Sequence, residues 1–157
     1  MKRSRRVRRV QVSADGAGVV SHAGVGMLRE LAEYTGLAGG VTAVLADTYK
    51  SPWPHPPGRV FTDVAVAVAD GADAISGIGA LADRGGLHGP VASVPTAWRV
   101  LDRVDAAHLP LVRRARARAR EKAWAAGAGP DLAESLTLDF DATIVIAHRE
   151  KENAAAT

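Results

Sequence analysis

Cysteine is absent from the 157 residues. That excludes a disulfide scaffold and thiolate zinc sites, and it fits a reducing compartment. Aromatic residues make up only 4% of a chain that is 47% hydrophobic. Ala, Val, Gly and Leu therefore carry the apolar content, which implies thin core layers and closely packed helices. No apolar run approaches the roughly 20 residues that a membrane helix needs. The basic N-terminus has no apolar region behind it, so it does not read as a secretory signal. The five histidines, His22, His55, His88, His108 and His148, show no metal-ligand spacing. They read as structural or solvent-facing groups. No serine or histidine sits in a recognisable nucleophile motif.

The chain does contain concentrated positive charge. The formal net charge is only +3. Yet Lys2, Arg3, Arg5, Arg6, Arg8 and Arg9 crowd the first ten residues without an acid, and Arg113, Arg114, Arg116, Arg118, Arg120 and Lys122 crowd residues 113–122 against Glu121 alone. These two segments hold 12 of the 20 basic residues and leave the remainder net negative. Cations gathered in this way suit a polyanion, of which nucleic acid is the commonest. Intramolecular pairing with the acidic remainder, or a solvated helix face, is the plainer alternative.

Periodicity divides the chain into a mainly α region and a strand. Residues 1–18 read as a basic arm. Ser21 is a plausible N-cap for a helix over 23–34, Gly36 a left-handed stop, and 41–45 the start of a second short helix, the outline of a helix-turn-helix. Four prolines make 51–58 a linker. Helical segments are expected over 59–69 and 74–84, with Gly85, Gly86 and His88 to Pro90 as a loop. Ser93 is the best N-cap, opening a helix over 94–104 with Pro95 in its first turn. An Ala/Arg helix over 106–126 ends at Gly127 to Pro130. In a second helix-turn-helix, 94–104 would be the reading helix, presenting Ser93, Thr96, Arg99 and Arg103. Trp98 reads as core or as a phosphate-backbone contact, and core is the preferred reading for a lone tryptophan.

Val64 to Val68 followed by Gly77, Gly79 and Ala82 imitates a strand and a dinucleotide-binding glycine motif. That motif needs its glycines directly after the strand, and eight residues intervene. Gly77 and Gly79 read instead as sites of close helix packing.

Residues 136–148 read as a β-strand. Leu136, Leu138, Phe140, Ala142, Ile144 and Ile146 recur every second residue, which places Asp139 and Asp141 together on the other face. Two neighbouring carboxylates repel, so that face is expected to be wet, cationic or metal-bound. Carboxylates suit Mg²⁺ or Mn²⁺. A two-metal phosphoryl-transfer site uses two such cations about 4 Å apart.

At this point the chain resembles a known family. Leu138 to Glu152, with its Asp141-Ala-Thr block followed by His148, Glu150, Lys151 and Glu152, is similar to the first catalytic block of DDE-type insertion-sequence transposases of the bacterial "thirteen-eighty" family. Val20 to Gly24, Leu28 to Ala32, Gly58 to Val60, Ala67 to Gly71, Gly89 to Ser93 and Thr96 to Arg99 agree with its upstream blocks. The resemblance covers nearly the whole chain. It implies a helical DNA-binding region over 19–130 and the first strand of a truncated RNase H-like α/β domain over 135–157. Asp141 would be the first carboxylate of the triad and a metal ligand, with Asp139 a lesser one. The parent enzyme would use Mg²⁺ or Mn²⁺ for hydrolysis at the element's ends and for strand transfer by the freed 3′-hydroxyl. The expected partner is double-stranded DNA at insertion-sequence ends, contacted by Thr96, Arg99, Arg103, Arg113, Arg114, Arg116, Arg118, Arg120 and Lys122. The expected place is the cytoplasm, with the nucleoid. The second Asp and the Glu are not found among these residues, so the chain reads as an N-terminal fragment without a complete active site, binding no metal stably. It could associate with itself or with intact transposase. The alternative is a non-catalytic helix-turn-helix protein, or an inhibitor of the intact enzyme.

Overall fold

The computed structural model describes residues 22, 24–49, 54–131, 133 and 140. The described part is helical. The arm over 1–18, Ser21, the strand over 136–148 and both Asp139 and Asp141 lie outside the described residues, apart from Phe140.

Helix α1 (Val25–Thr35) buries Gly26, Arg29 and Ala32, one residue per turn. Gly36 stops it with φ 83° and a left-handed conformation, as the sequence leads one to expect, since only glycine adopts it without a Cβ penalty. Helix α2 (Leu37–Val44) follows with no intervening loop, four residues earlier than the sequence reading places it. Ala38, Val41 and Leu45 then fall at helical spacing on its buried side.

Helix α3 (Pro57–Ala69) is the central element and buries seven of its residues. The proline-rich linker therefore ends sooner than expected. Pro57 opens the helix because a first-turn proline has no hydrogen bond to lose and has its φ already set. Val64 to Val68 lies within this helix and is not a strand. Gly58 is the point of closest approach to α2. Its N–H donates to Thr42 Oγ1 at 3.1 Å, and that hydroxyl donates to the Ala38 carbonyl at 2.8 Å.

The segment expected as a helix over 74–84 is a 3₁₀ turn, Ile75–Gly77, followed by α4 (Ile78–Ala82). Gly77 is hemmed in by Ala72, while Gly79 faces open space, so neither supports close packing between helices. The expected loop at Gly85 and Gly86 is a short helix, α5 (Gly85–His88), ended by Gly89 at φ 66°. Helix α6 (Val94–Asp102) begins after Ser93 as expected, but Ser93 makes no side-chain cap. Its Oγ lies 3.0 Å from Thr96 Oγ1 instead. Trp98 is corrected from core to surface at 54% exposure. Ala97 and Val100 turn inward on α6 and carry Trp98 outward.

Val41, Leu45, Val60, Val66, Ala67, Ile78, Leu81, Ala92, Ala97 and Val100 form the core. Arg29 and Asp63 are buried with them as an ion pair, with Nε to Oδ1 at 2.8 Å and Nη2 to Oδ2 at 3.0 Å.

Helix α7 (His108–Ala123) packs on α1 and α2. Alanine and arginine have high helix propensity. Asp105 supplies the cap, because its Oδ1 accepts the N–H groups of Ala107 and His108 at 2.8 and 3.0 Å. A wider turn over Trp124–Ala128 follows, ending where Gly127 takes φ 95°, the stop that the sequence marks. His108 adds a tie, with Nδ1 2.7 Å from Asp105 and Nε2 3.2 Å from Asp47. The hydrogen bond with Asp47, then that with Asp105, raises its pKa above the usual histidine value. The raised folded value means that this contribution is full below the unfolded pKa and is lost as pH rises through the folded one. His108→Gln is therefore expected to lower Tm more at pH 5.5 than at pH 9. An equal drop at both pH values in thermal unfolding would show that the tie does not depend on the imidazolium.

Candidate nucleic-acid interface

Two surfaces carry the cations expected to meet DNA. The first lies beside α6. Thr96, Arg99 and Arg103 are brought together on the wall of a cleft of about 630 Å³, opposite Asp47, Tyr49, Pro54 and His55. Arg99 Nη2 donates to Thr96 Oγ1 at 3.1 Å, which holds the guanidinium across one turn. Arg103 is already engaged. Its Nη1 donates to the Thr48 carbonyl at 2.9 Å and its guanidinium lies 4.4 Å over the Tyr49 ring. Of the two arginines, Arg99 has more capacity for a ligand. Tyr49 and His55 join this cleft from segments more than 40 residues away, out of reach of any local sequence pattern.

The second surface is α7. Ala119 is buried, Val112 and Ala115 are half-buried, and Arg113, Arg114, Arg116, Arg118, Arg120 and Lys122 are all exposed. The small side chains let α7 approach α2 closely: a Cβ placed on Gly40 would sit 3.2 Å from Ala115 Cβ. Among the described residues, Arg29, Arg59 and Arg84 pair with carboxylates and His108 ties the start of α7 to Asp47 and Asp105, whereas no ion pair joins the arginines or the lysine over 113–122 to an acid. Intramolecular neutralisation of this helix, the plainer reading of its charge, is therefore not found among the described residues. Arg114 and Arg118 line a groove with Thr35, Gly36, Gly40 and Leu111. Arg120 stacks on Trp124 at 5.2 Å. Lys122 donates to the Tyr34 carbonyl and lies 4.8 Å over the Tyr34 ring, so it also anchors α7 to α1.

Like charges one turn apart, Arg114 with Arg118 and Arg116 with Arg120, oppose the helix by a few tenths of a kcal/mol per pair. Capping by Asp105 and packing on α2 offset this. The resulting surface is cationic and exposed.

The chain matches the family model described as transposase DDE domain group 1 over residues 2–157. It belongs to this transposase family. No curated protein and no solved structure matches it. DDE transposase chemistry relies on carboxylates holding Mg²⁺ or Mn²⁺. Among the described residues no group of three or more His, Asp or Glu side chains could hold such an ion. No helix among the described residues is long and apolar enough to cross a membrane.

Proposed function

We propose that this member of the DDE transposase family binds the terminal inverted repeats of an insertion sequence of the "thirteen-eighty" type. On this reading residues 19–130 are the DNA-binding region, with α6 acting as the second helix of a helix-turn-helix. Residues 135–157 open an RNase H-like domain in which Asp141, with Asp139 beside it, is the first carboxylate toward Mg²⁺ or Mn²⁺. The chain then works in the cytoplasm at the nucleoid. The observation that carries the reading is the exposed cation face of α7, unpaired with acids among the described residues and presented by a helix that is itself firmly docked. Phosphate contact would relieve its internal repulsion and release condensed counterions.

Duplex binding is expected to be strongly salt-dependent. If six cations meet phosphates, log K falls with log salt at a slope of roughly −5. Substituting glutamine at Arg114, Arg116, Arg118 and Arg120 is expected to flatten that slope to between about −1 and −2. Fluorescence anisotropy over a salt series measures this, and no duplex binding at low salt would sink the reading.

Cleavage is a separate matter. On this reading Asp141 and Asp139 are the carboxylates that residues 135–157 bring to the site, and a single pair cannot hold two metal ions in the geometry of in-line displacement. Incubated with end-containing DNA and Mn²⁺, residues 1–157 are expected not to nick it. Nicking that Asp141→Asn abolishes would mean that these residues already contain a complete site.

A further inference from the structure

The face that α7 turns outward has a finer pattern than its charge alone. An α-helix advances about 100° per residue. With Val112, Ala115 and Ala119 directed at α2, the outermost line of α7 falls on Pro110, Ala117 and Glu121, all exposed. The cations do not sit on this crest. They form two rows, one on each flank: Arg113, Arg116 and Arg120 on one side, Arg114 and Arg118 on the other, with Lys122 held against Tyr34 beyond the second row. Arg114 and Arg118 line the groove against the α1–α2 junction, which fixes that row toward Gly36 and Gly40. The opposite row points away from that junction.

A helix that lies across one phosphate strand needs a single row of cations, and it needs them on its crest. Two rows separated by a low ridge match two phosphate strands with a gap between them. The gap in question has a known size. The major groove of B-DNA is about 12 Å wide, and an α-helix with its side chains is about 10–12 Å across. The small crest at Pro110 and Ala117 leaves room for the helix to sink, and long arginines on both flanks reach the groove walls. We infer that α7 seats in the major groove of duplex DNA, with its two cation rows on the phosphates of opposite strands and Ala117 and Glu121 toward the base edges. A carboxylate there accepts a hydrogen bond from cytosine N4, and an alanine methyl packs on the thymine methyl. The inference rests on the DNA-binding reading above and deepens it: the helix that enters the groove is α7, beyond whatever α6 reads.

The test uses the 157-residue chain and duplexes carrying an element end. Glucosylated hydroxymethylcytosine in place of cytosine fills the major groove, and netropsin fills the minor groove. Binding is expected to weaken at least tenfold on the glucosylated duplex and to change less than twofold with netropsin. Ala117→Leu keeps the charge and the helix propensity but raises the crest. It is expected to weaken binding at least tenfold with an unchanged circular dichroism spectrum. Arg114→Gln and Arg116→Gln, one from each row, are each expected to reduce the salt slope by about 0.9. Binding that persists on glucosylated DNA, or is displaced by netropsin, overturns the groove assignment while leaving DNA binding intact. Wild-type binding by Ala117→Leu overturns it as well, as does tighter binding to an RNA hairpin of the same sequence. Failure to bind any duplex removes both readings.

Discussion

Gly58→Ala is expected to unfold the protein or nearly so, although it adds only one methyl group. Gly58 lies in the first turn of α3, where α3 meets α2. A Cβ built there would run into the Ala38 carbonyl and would lie 2.5 Å from the Thr42 nitrogen and 2.6 Å from its hydroxyl. Two of these three atoms are backbone and have no rotamer to change. The helices would have to separate, breaking the Gly58 N–H bond to Thr42 and opening the layer around Val41 and Val60. Overpacking of this kind costs about 3 kcal/mol, and more where backbone must move. Alanine also has a better helix propensity than glycine by about 1 kcal/mol, so a loss would be decided by the clash alone. Gly39→Ala is the control. It lies on α2 with open space where the Cβ would go, and it is expected to gain about 0.5–1 kcal/mol. Chemical denaturation of the two variants beside the wild type measures both signs. A stabilised Gly58→Ala would show that the α2–α3 contact is looser than described.

Arg29→Met is expected to cost about 3 kcal/mol at pH 8 and clearly less at pH 5. Arg29 and Asp63 are both buried and face each other with two close N···O contacts. Arg59 Nε stands 3.8 Å from the same Asp63 oxygen, Glu33 lies 3.4 Å from Arg59, and Arg29 also reaches the Pro90 carbonyl. Burial pushes the Asp63 carboxyl up to about 6, against the downward pull of Arg29 and then Arg59. Burial likewise lowers the pKa of Arg29, with Asp63 opposing it. Desolvation thus outweighs attraction on both sides, so the pair specifies the arrangement more than it stabilises it. A folded pKa above the unfolded value favours the fold at low pH, and that contribution is lost as pH rises through the folded pKa. Without Arg29 the folded value climbs further, so proton uptake by Asp63 relieves the variant at pH 5 and cannot at pH 8. Pairing Arg29→Met with Asp63→Leu removes both buried charges and is expected to recover most of the loss. Thermal unfolding at the two pH values gives the comparison. A loss of equal size at both, or a double variant no better than the single one, would mean that the charges are not what matters there.

Much of the helical order is legible in the residues because its signals are local. Gly36 and Gly127 stop helices by adopting positive φ, and Ser93 and Pro95 mark the start of α6. Charge clustering on 113–122 needs only the sequence, and helical spacing alone divides its arginines into two rows. Family membership is written in residue blocks along the chain and needs no coordinates.

Other features depend on contacts between distant segments, which local pattern cannot reach. Trp98 looks like core because it is large and apolar, but the supply of inward positions on α6 is taken by Ala97 and Val100. Proline spacing suggests a linker up to Gly58, yet Pro57 and Gly58 start the central helix, and Gly58 is needed because Ala38 and Thr42 stand against it. Nothing local to Arg29 marks it as buried; α3 places Asp63 beside it, 34 residues on. Asp105 and His108 are close enough in sequence to suggest a pair, but Asp47 joins them only through the packing of α7 on α2. Composition and periodicity determined that this chain is mainly helical and cationic in two places, and the resemblance of its residue blocks pointed to the transposases. Tertiary structure decided which cations are buried in pairs and which stand exposed, because a charge is retained inside only where another segment supplies its partner, and is otherwise left to the solvent and to whatever polyanion arrives there.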